Sequence, residues 1–196
     1  MRSRVTTKNG DAGSTRTLGG DVLSKSHPIV ECTGRLDALR AHLALLRLEI
    51  IAAQPDELEA LEKFLFWLLH CCFLIGAEVN DPKRKHPEYR QGEIGAFHLD
   101  RLEVEQARLE AMVTFPRGFI VSAGNRTAAV ADVVATVARD FERSLVRLSE
   151  AIPEFKATAL IAFTNRLSDY LYVLARYLDK GRGQPVDYSV ICNVYA

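Results

Sequence analysis

Residues 127–151, TAAVADVVATVARDFERSLVRLSEA, decide the fold class. Val130, Val133, Val134, Val137, Phe141, Leu145 and Leu148 return at three- and four-residue steps, the period that gathers side chains on one face of an α-helix. Neither glycine nor proline interrupts the run, so it predicts a long helix with these residues facing inward. Upstream, Val30, Leu36, Leu39, Leu43, Leu46 and Ile50 repeat the pattern from Pro28 onward. Pro55-Asp56 breaks that helix, and Asp56-Glu57 suits the positive opening end of a second, which runs to Val79. A third helix is expected over 99–113, before Pro116 and Gly118 interrupt and the apolar Phe119-Ile120-Val121 follows. Downstream of the quoted run, Pro153 separates a fifth helix, 154–180, closed by Gly181. The expectation is an all-α five-helix bundle with a glycine-rich N-terminal arm.

With 196 residues, one domain is expected: an arm (1–26), the bundle (27–180) and a tail (181–196) whose loose alternation over 186–195 suits a short strand or an ordered arm. Lys and Arg number 25 and Asp and Glu number 25, so no overall field draws the chain to nucleic acid or to anionic lipid. The most apolar run, 64–75, is far short of a membrane span and reads as a helix buried on most of its circumference. The N-terminal residues lack a signal-peptide core, and the four cysteines (Cys32, Cys71, Cys72, Cys192) form no CxxC pair. A reducing cytoplasm is the expected location. His27, His42, His70, His86 and His98 form no HxxxH or HExxH, which argues against a metal held by protein ligands. Residues 80–95, with two prolines, two glycines and Lys83-Arg84-Lys85, read as a mobile surface loop.

Three stretches carry candidate chemistry. In the first, Thr6-Thr7-Lys8-Asn9-Gly10-Asp11-Ala12-Gly13-Ser14-Thr15, glycines let backbone approach an anion, hydroxyls donate and Lys8 adds charge. This composition suits a triphosphate, although it is no P-loop and equally describes a polar arm. In the second, Arg139, Glu142 and Arg143 share a helix face. They are either a solvated face with an intrahelical ion pair or an arginine fork held by Glu142 for phosphate. In the third, Asn165 and Asp169 share a face with Tyr172 and Arg176 close by, either a buried polar network or the edge of a site.

In this order, the segments resemble the ATP:cob(I)alamin adenosyltransferases of the propanediol-utilisation type. The family's T-K-x-G-D-x-G-x-T is matched from Thr7 to Thr15, its V-S-K step by Leu23-Ser24-Lys25, and its G-x-x-D by Gly34-Arg35-Leu36-Asp37. F-x-I-G-A stands as Phe73-Leu74-Ile75-Gly76-Ala77, and N-R-L-S-D-Y-L-F-V-L-A-R runs from Asn165 to Arg176 with one change, Tyr172. The resemblance covers residues 5–180. It implies a five-helix bundle that forms a homotrimer with sites between subunits. It also implies transfer of the 5′-deoxyadenosyl group of ATP, with Mg²⁺, to cob(I)alamin or a related corrinoid, and a flavoprotein reductase as a partner. By the same resemblance Thr7, Lys8, Gly10, Asp11, Gly13, Thr15 and Lys25 wrap ATP, while Arg139, Glu142 and Asn165 hold the nucleotide and its Mg²⁺ environment. Phe119 closes the lower face of the corrin, and Asp37 lies at the subunit interface.

Several positions depart from the family pattern. Ala135, Asp140 and Ile29 stand where arginines are usual, and Pro-Gly-Gly becomes Ser122-Ala123-Gly124. Asp37 thereby loses the Arg expected to face it from the next subunit. Each charge-assisted hydrogen bond lost to the nucleotide is worth on the order of 1.5–3 kcal/mol unless Arg35, Arg40 or Arg126 compensates. Two alternatives follow: a catalytically impaired relative that binds nucleotide or corrinoid in a regulatory or carrier role, or an assembly protein that kept only the bundle.

Overall fold

The computed structural model describes residues 6, 8–115 and 117–192, and in it the helical periods become five long helices: α1 (Pro28–Ala53), α2 (Leu58–Asn80), α3 (Ala96–Glu110), α4 (Arg126–Ala151) and α5 (Thr158–Asp179). Local chemistry sets their ends. Pro28 occupies a first-turn position where its missing N–H costs nothing, and His27 Nδ1 accepts from the Ile29 N–H at 3.2 Å. Asn125 opens α4 by accepting from the Ala128 N–H at 2.9 Å, and its Nδ2 donates to the Leu178 carbonyl at 2.8 Å. That one side chain therefore ties the start of α4 to the end of α5. The fifth helix starts later than its apolar period suggests, because Phe155 and Ala157 are buried from a turn: the Phe155 N–H bonds the Ile152 carbonyl at 2.9 Å.

Cross-links fix the packing. Cys32 meets Ser144, Arg35 meets Asp140, and Glu49 meets Arg126, so α1 and α4 run antiparallel. Asn165 with Glu142 and Arg176 with Asp132 do the same for α5 and α4. The core between them includes Leu39, Leu43, Leu46, Leu65, Phe141, Phe163, Tyr170 and Leu174, all essentially inaccessible. Full burial of each such side chain contributes about 1.5–3 kcal/mol.

Four expectations need correction. Helix α2 buries one face (Leu61, Leu65, Leu68, Cys72, Ile75), while Phe66 and Phe73 are more than half exposed; it is also long and apolar enough, by length and composition, to cross a membrane. Val133 points outward on α4. The 80–95 loop is tied down: buried Asp81 accepts from the Lys85 N–H at 2.9 Å and the His86 N–H at 2.8 Å, and residues Pro87–Tyr89 form a 3-10 turn. The tail adds strand β4 (Gln184–Pro185) and a short helix α6 (Tyr188–Cys192). Strand β4 pairs antiparallel with β3 (Ile120–Ser122). In the arm, β1 (Ser14–Arg16) and β2 (Val22–Ser24) form a hairpin in the register Ser14↔Ser24, Thr15↔Leu23, Arg16↔Val22.

Candidate functional site

The open end of the arm hairpin carries a tight loop. Lys8 (φ 62°) and Gly13 (φ 81°) both take left-handed backbone conformations. The Asp11 N–H bonds the Lys8 carbonyl at 3.3 Å, and the Gly13 N–H bonds the Gly10 carbonyl at 3.2 Å. The loop closes on β2 through the Lys25 N–H, which donates to the Gly13 carbonyl at 2.9 Å. A Cβ on Gly10 would sit 3.1 Å from Lys25 Nζ and 3.3 Å from the Ser14 carbonyl, so a bare Cα is what lets the ammonium lie across the loop. Lys8, Gly10, Asp11, Gly13, Thr15 and Lys25 are thereby gathered in one structure, beside a hollow of about 490 Å³ lined by Asn9, Gly10, Ser14, Thr15 and Arg16. Thr7 lies outside the described residues. Glycine backbone, hydroxyls and the Arg16 guanidinium line that concavity, with Lys25 Nζ across Gly10 beside it, which is chemistry for an anion.

The second cluster sits midway along α4 and α5. Glu142 Oε1 accepts from Asn165 Nδ2 at 3.3 Å, and Asn165 Oδ1 accepts from Arg166 Nη1 at 3.3 Å. Glu142 is held by α5 and does not hold an arginine fork. Arg143 instead forms an intrahelical pair with Asp140 at 3.1 Å. Arg139 is exposed and makes no ion pair with a described residue. The Asn165–Asp169 face is part exposed and part buried. Asp169 and Tyr172 are exposed, whereas Arg176 is buried against Asp132 (2.6 Å) with its guanidinium over the Tyr172 ring.

Phe119 and Asp37 stand apart from these groups. Phe119 is 80% exposed, and its carbonyl accepts from the Val186 N–H at 3.0 Å, which seats it on the β3–β4 pair at the start of α4. Phe119 precedes the start of α4, whereas Arg139 lies fourteen residues beyond the cap at Asn125, about 21 Å along the helix at 1.5 Å per residue. Asp37 is exposed on α1 and accepts from Arg40 Nη2 at 3.3 Å. It lines a cleft of about 800 Å³ with Arg40, Phe73, Thr17 and Tyr89.

The unusual positions have local explanations. Ile29 is core, at 9% exposure, and Ala135 is buried at 5%, so neither presents a surface where a lost arginine leaves a gap. Ala135 therefore does not share an open stripe with Arg139 and Arg143. Asp140 is neutralised by Arg35 at 2.5 Å. Arg126 is engaged on both nitrogens by Glu49, and Arg40 by Asp37, so of the expected substitutes for lost charge none is unpaired. Sequence reasoning missed His86 and Asp81, which organise the loop against the arm. Their only signal was the Gly19-Gly20 pair opposite, which has no pattern of its own.

A helical bundle of this connectivity, with a glycine-rich arm folded on a lysine and an Asn–Glu contact between its last two long helices, defines a class. The chain belongs to the cobalamin adenosyltransferase family, whose pattern it matches over residues 5–178. It is 34% identical over 186 residues to the corrinoid adenosyltransferase PduO of Salmonella typhimurium, covering 92% of this chain and 51% of that protein. It thus spans about half the length of that relative. It is 33% identical over 184 residues to a cobalamin adenosyltransferase of Cupriavidus metallidurans, covering 92% of this chain and 91% of the relative. Among solved structures it resembles a variant of the PduO-type ATP:corrinoid adenosyltransferase of Lactobacillus reuteri complexed with cobalamin and ATP. The TM-score is 0.79, at 25% identity, over 93% of this chain and 96% of that one.

Proposed function

We propose that this chain, read as one domain, transfers the 5′-deoxyadenosyl group of ATP to the cobalt of a reduced corrinoid, cob(I)alamin or a relative. The carrying observation is the glycine loop folded around Lys25, a preformed anion cradle in a family whose relatives bind ATP and cobalamin. In the step, the cobalt(I) electron pair attacks C5′, a Co–C bond forms as the C5′–O bond breaks, and the released pair leaves on triphosphate. The protein aligns the two reactants and offsets the leaving charge. Lys8, Lys25 and Arg139 supply that charge, with Gly10, Asp11, Gly13 and Thr15 (and Thr7) shaping the phosphate loop. Glu142 and Asn165 hold the nucleotide. Phe119 provides an apolar wall under the corrin, which keeps an axial base off cobalt and eases its reduction.

The placement of Phe119 before the start of α4 and of Arg139 midway along it supports a site completed by a second copy, in a homotrimer with Asp37 near the boundary. A Mg²⁺ carried mainly by ATP phosphates and water, with Glu142 at hand, belongs to this reading. When bound, that ion adds positive charge beside the triphosphate. The electron source is a flavoprotein reductase. The buried, unpaired thiols of Cys32, Cys71 and Cys72, the last two pushed up to about 12 chiefly by burial, are in keeping with a reducing cytoplasm.

One observation favours a second reading, a binding protein without turnover: Asp140 puts a carboxylate where the family has an arginine. Calorimetry with Mg-ATP followed by an adenosylation assay on chemically reduced cobalamin decides between them. Binding with turnover is expected. Binding without turnover selects the second reading, and no binding removes both.

A further inference from the structure

The turn of the arm hairpin rests on a histidine that none of the family motifs includes. A Cβ built on Gly19 would lie 2.4 Å from both Cδ2 and Nε2 of His86, so the imidazole edge is packed directly on the Gly19 Cα. That ring is not free to swing aside. Its backbone N–H is held by Asp81 at 2.8 Å, its Nδ1 lies 3.2 Å from Glu88 Oε1, and Tyr89 packs beside it at 5.8 Å between ring centres. Asp81 is itself fixed, since Arg90 Nη2 donates to its carbonyl at 2.5 Å and the Asp81 side chain is 11% exposed. The hairpin turn is equally well defined. The Thr17 N–H bonds the Asp21 carbonyl at 2.9 Å, the Gly20 N–H bonds the Thr17 carbonyl at 3.0 Å, and Arg16 Nη1 reaches the Gly20 carbonyl at 3.3 Å. Two rigid parts therefore meet at one contact.

We infer that His86 is a positioning residue for the phosphate loop: packed on Gly19, it docks the β1–β2 hairpin on the bundle and so sets where residues 8–13 and Lys25 stand. The lever is short. Three paired residues separate the docked turn from the loop, about 10 Å at the rise of a strand, and the Lys25 N–H to Gly13 carbonyl bond couples the two ends. Any tilt at Gly19 is passed to the loop, where a displacement of about 1 Å is enough to lower affinity for the nucleotide. The docking stands on the contacts alone, while its consequence for ATP rests on the function proposed above.

The test uses the full chain with His86→Ala, Gly19→Ala and the double variant, and Lys85→Ala as control, since that side chain is exposed on the same loop and makes no ion pair with a described residue. Without ligand, His86→Ala should speed hydrogen exchange at the Thr17, Gly20 and Lys25 amides by about tenfold or more, with the melting temperature of the bundle unchanged. With Mg-ATP, the Kd and the KM for ATP should rise by about five- to twentyfold, with the KM for reduced cobalamin and kcat held. Gly19→Ala should do the same, and the double variant should be no worse than either single one, because removing the ring removes the clash. Unchanged exchange in His86→Ala overturns the inference, as do a shifted kcat at constant KM and additive losses in the double variant. If the parent does not bind Mg-ATP, the proposed function fails, and the exchange data alone decide the docking.

Discussion

Arg35 on α1 reaches across to Asp140 on α4, with 2.5 Å between Nη1 and Oδ2, and its Nε simultaneously meets Glu31 at 2.8 Å. Asp140 also accepts from Arg143 at 3.1 Å, so a carboxylate at a position where the family resemblance implies an arginine is shared by two arginines of the same chain. The carboxylate is therefore compensated locally, and both Arg35 and Arg143 are occupied by it. Replacing Asp140 with Ala should free Arg143 and leave Arg35 paired with Glu31 alone. Mg-ATP binding should tighten by about three- to tenfold at low salt, and the gain should fade as ionic strength rises. Calorimetry at two salt concentrations checks it, and an unchanged Kd at both would place these arginines away from the nucleotide.

Lys8→Ala should weaken Mg-ATP binding by about ten- to a hundredfold, the value of a charge-assisted hydrogen bond, while Lys85→Ala leaves it within about twofold. Lys8 begins the loop that Lys25 closes, whereas Lys85 contributes only its backbone N–H to Asp81. Equal losses in both variants would mean that only the general field matters.

Glu78 is buried on α2, at 7% exposure, and its Oε1 accepts from the Ile94 N–H at 3.1 Å. Burial raises its pKa above the ordinary 4.5, and the Ile94 bond only partly opposes this. A carboxyl that protonates more readily folded than unfolded stabilises the fold below its unfolded pKa, and that contribution is lost as pH rises through the folded value. Neutral pH therefore carries the cost of a buried charge. Glu78→Gln keeps an acceptor for Ile94 and removes the charge. Its melting temperature should exceed the parent's by a few degrees near neutrality, with the difference vanishing toward pH of about 4. A melt series across that range decides, and a Gln variant less stable throughout would show that the carboxylate is needed as an ion.

Ala135→Arg tests whether the missing interface arginine can be restored. The Ala135 side chain is 5% exposed within one chain, and Asp37 already holds Arg40 at 3.3 Å. Overpacking a helix face of this kind costs about 1–3 kcal/mol. The variant should melt lower than the parent, and Asp37→Ala should leave that loss unchanged. A stabilised Ala135→Arg whose gain disappears with Asp37→Ala would instead establish a cross-subunit pair.

The five long helices were legible because each buries a stripe whose period survives in sequence, from Leu36 to Ile50 on α1 and from Val134 to Leu148 on α4. Errors came where burial and helix part company: Phe155 and Ala157 are buried from a turn, so the period alone starts α5 too early. Val133 carries the right residue type on the wrong side. Lys8, Gly10 and Gly13 were legible as one glycine-rich loop, whereas Lys25 joined them only through the family resemblance, because the β1–β2 hairpin that brings it there has strands too short to read. The β3–β4 pairing could not, since Ile120 finds Pro185 across the whole length of α4 and α5, and two residues of strand leave no alternation to read. His86 on Gly19 is hidden for the same reason, being a contact between two loops with no periodicity in either.

Gly124 is the last position of the altered Pro-Gly-Gly segment and the one that kept its glycine. A Cβ there would lie 2.5 Å from Arg182 Cβ and 2.7 Å from both the Arg182 carbonyl and Asp179 Oδ1, while its N–H donates to that same oxygen at 2.6 Å. Ala123, one residue earlier, packs its methyl against the core. The segment therefore tolerates a side chain at 123 and excludes one at 124, where the backbone must press against the end of α5. Gly124→Ala should push the strand away from Asp179 and disturb the β3–β4 pair that carries Phe119. The expected result is a loss of about 1–3 kcal/mol in stability together with a raised KM for reduced cobalamin, with Mg-ATP affinity unchanged. Ala123→Gly serves as the partner variant: it removes one methyl from the edge of the core without forcing the backbone off Asp179, and should change the corrinoid KM little. A Gly124→Ala protein with parental melting temperature and corrinoid KM would show that the strand is not what holds Phe119 in place. A loss of ATP affinity would show that this end of the bundle also shapes the nucleotide site.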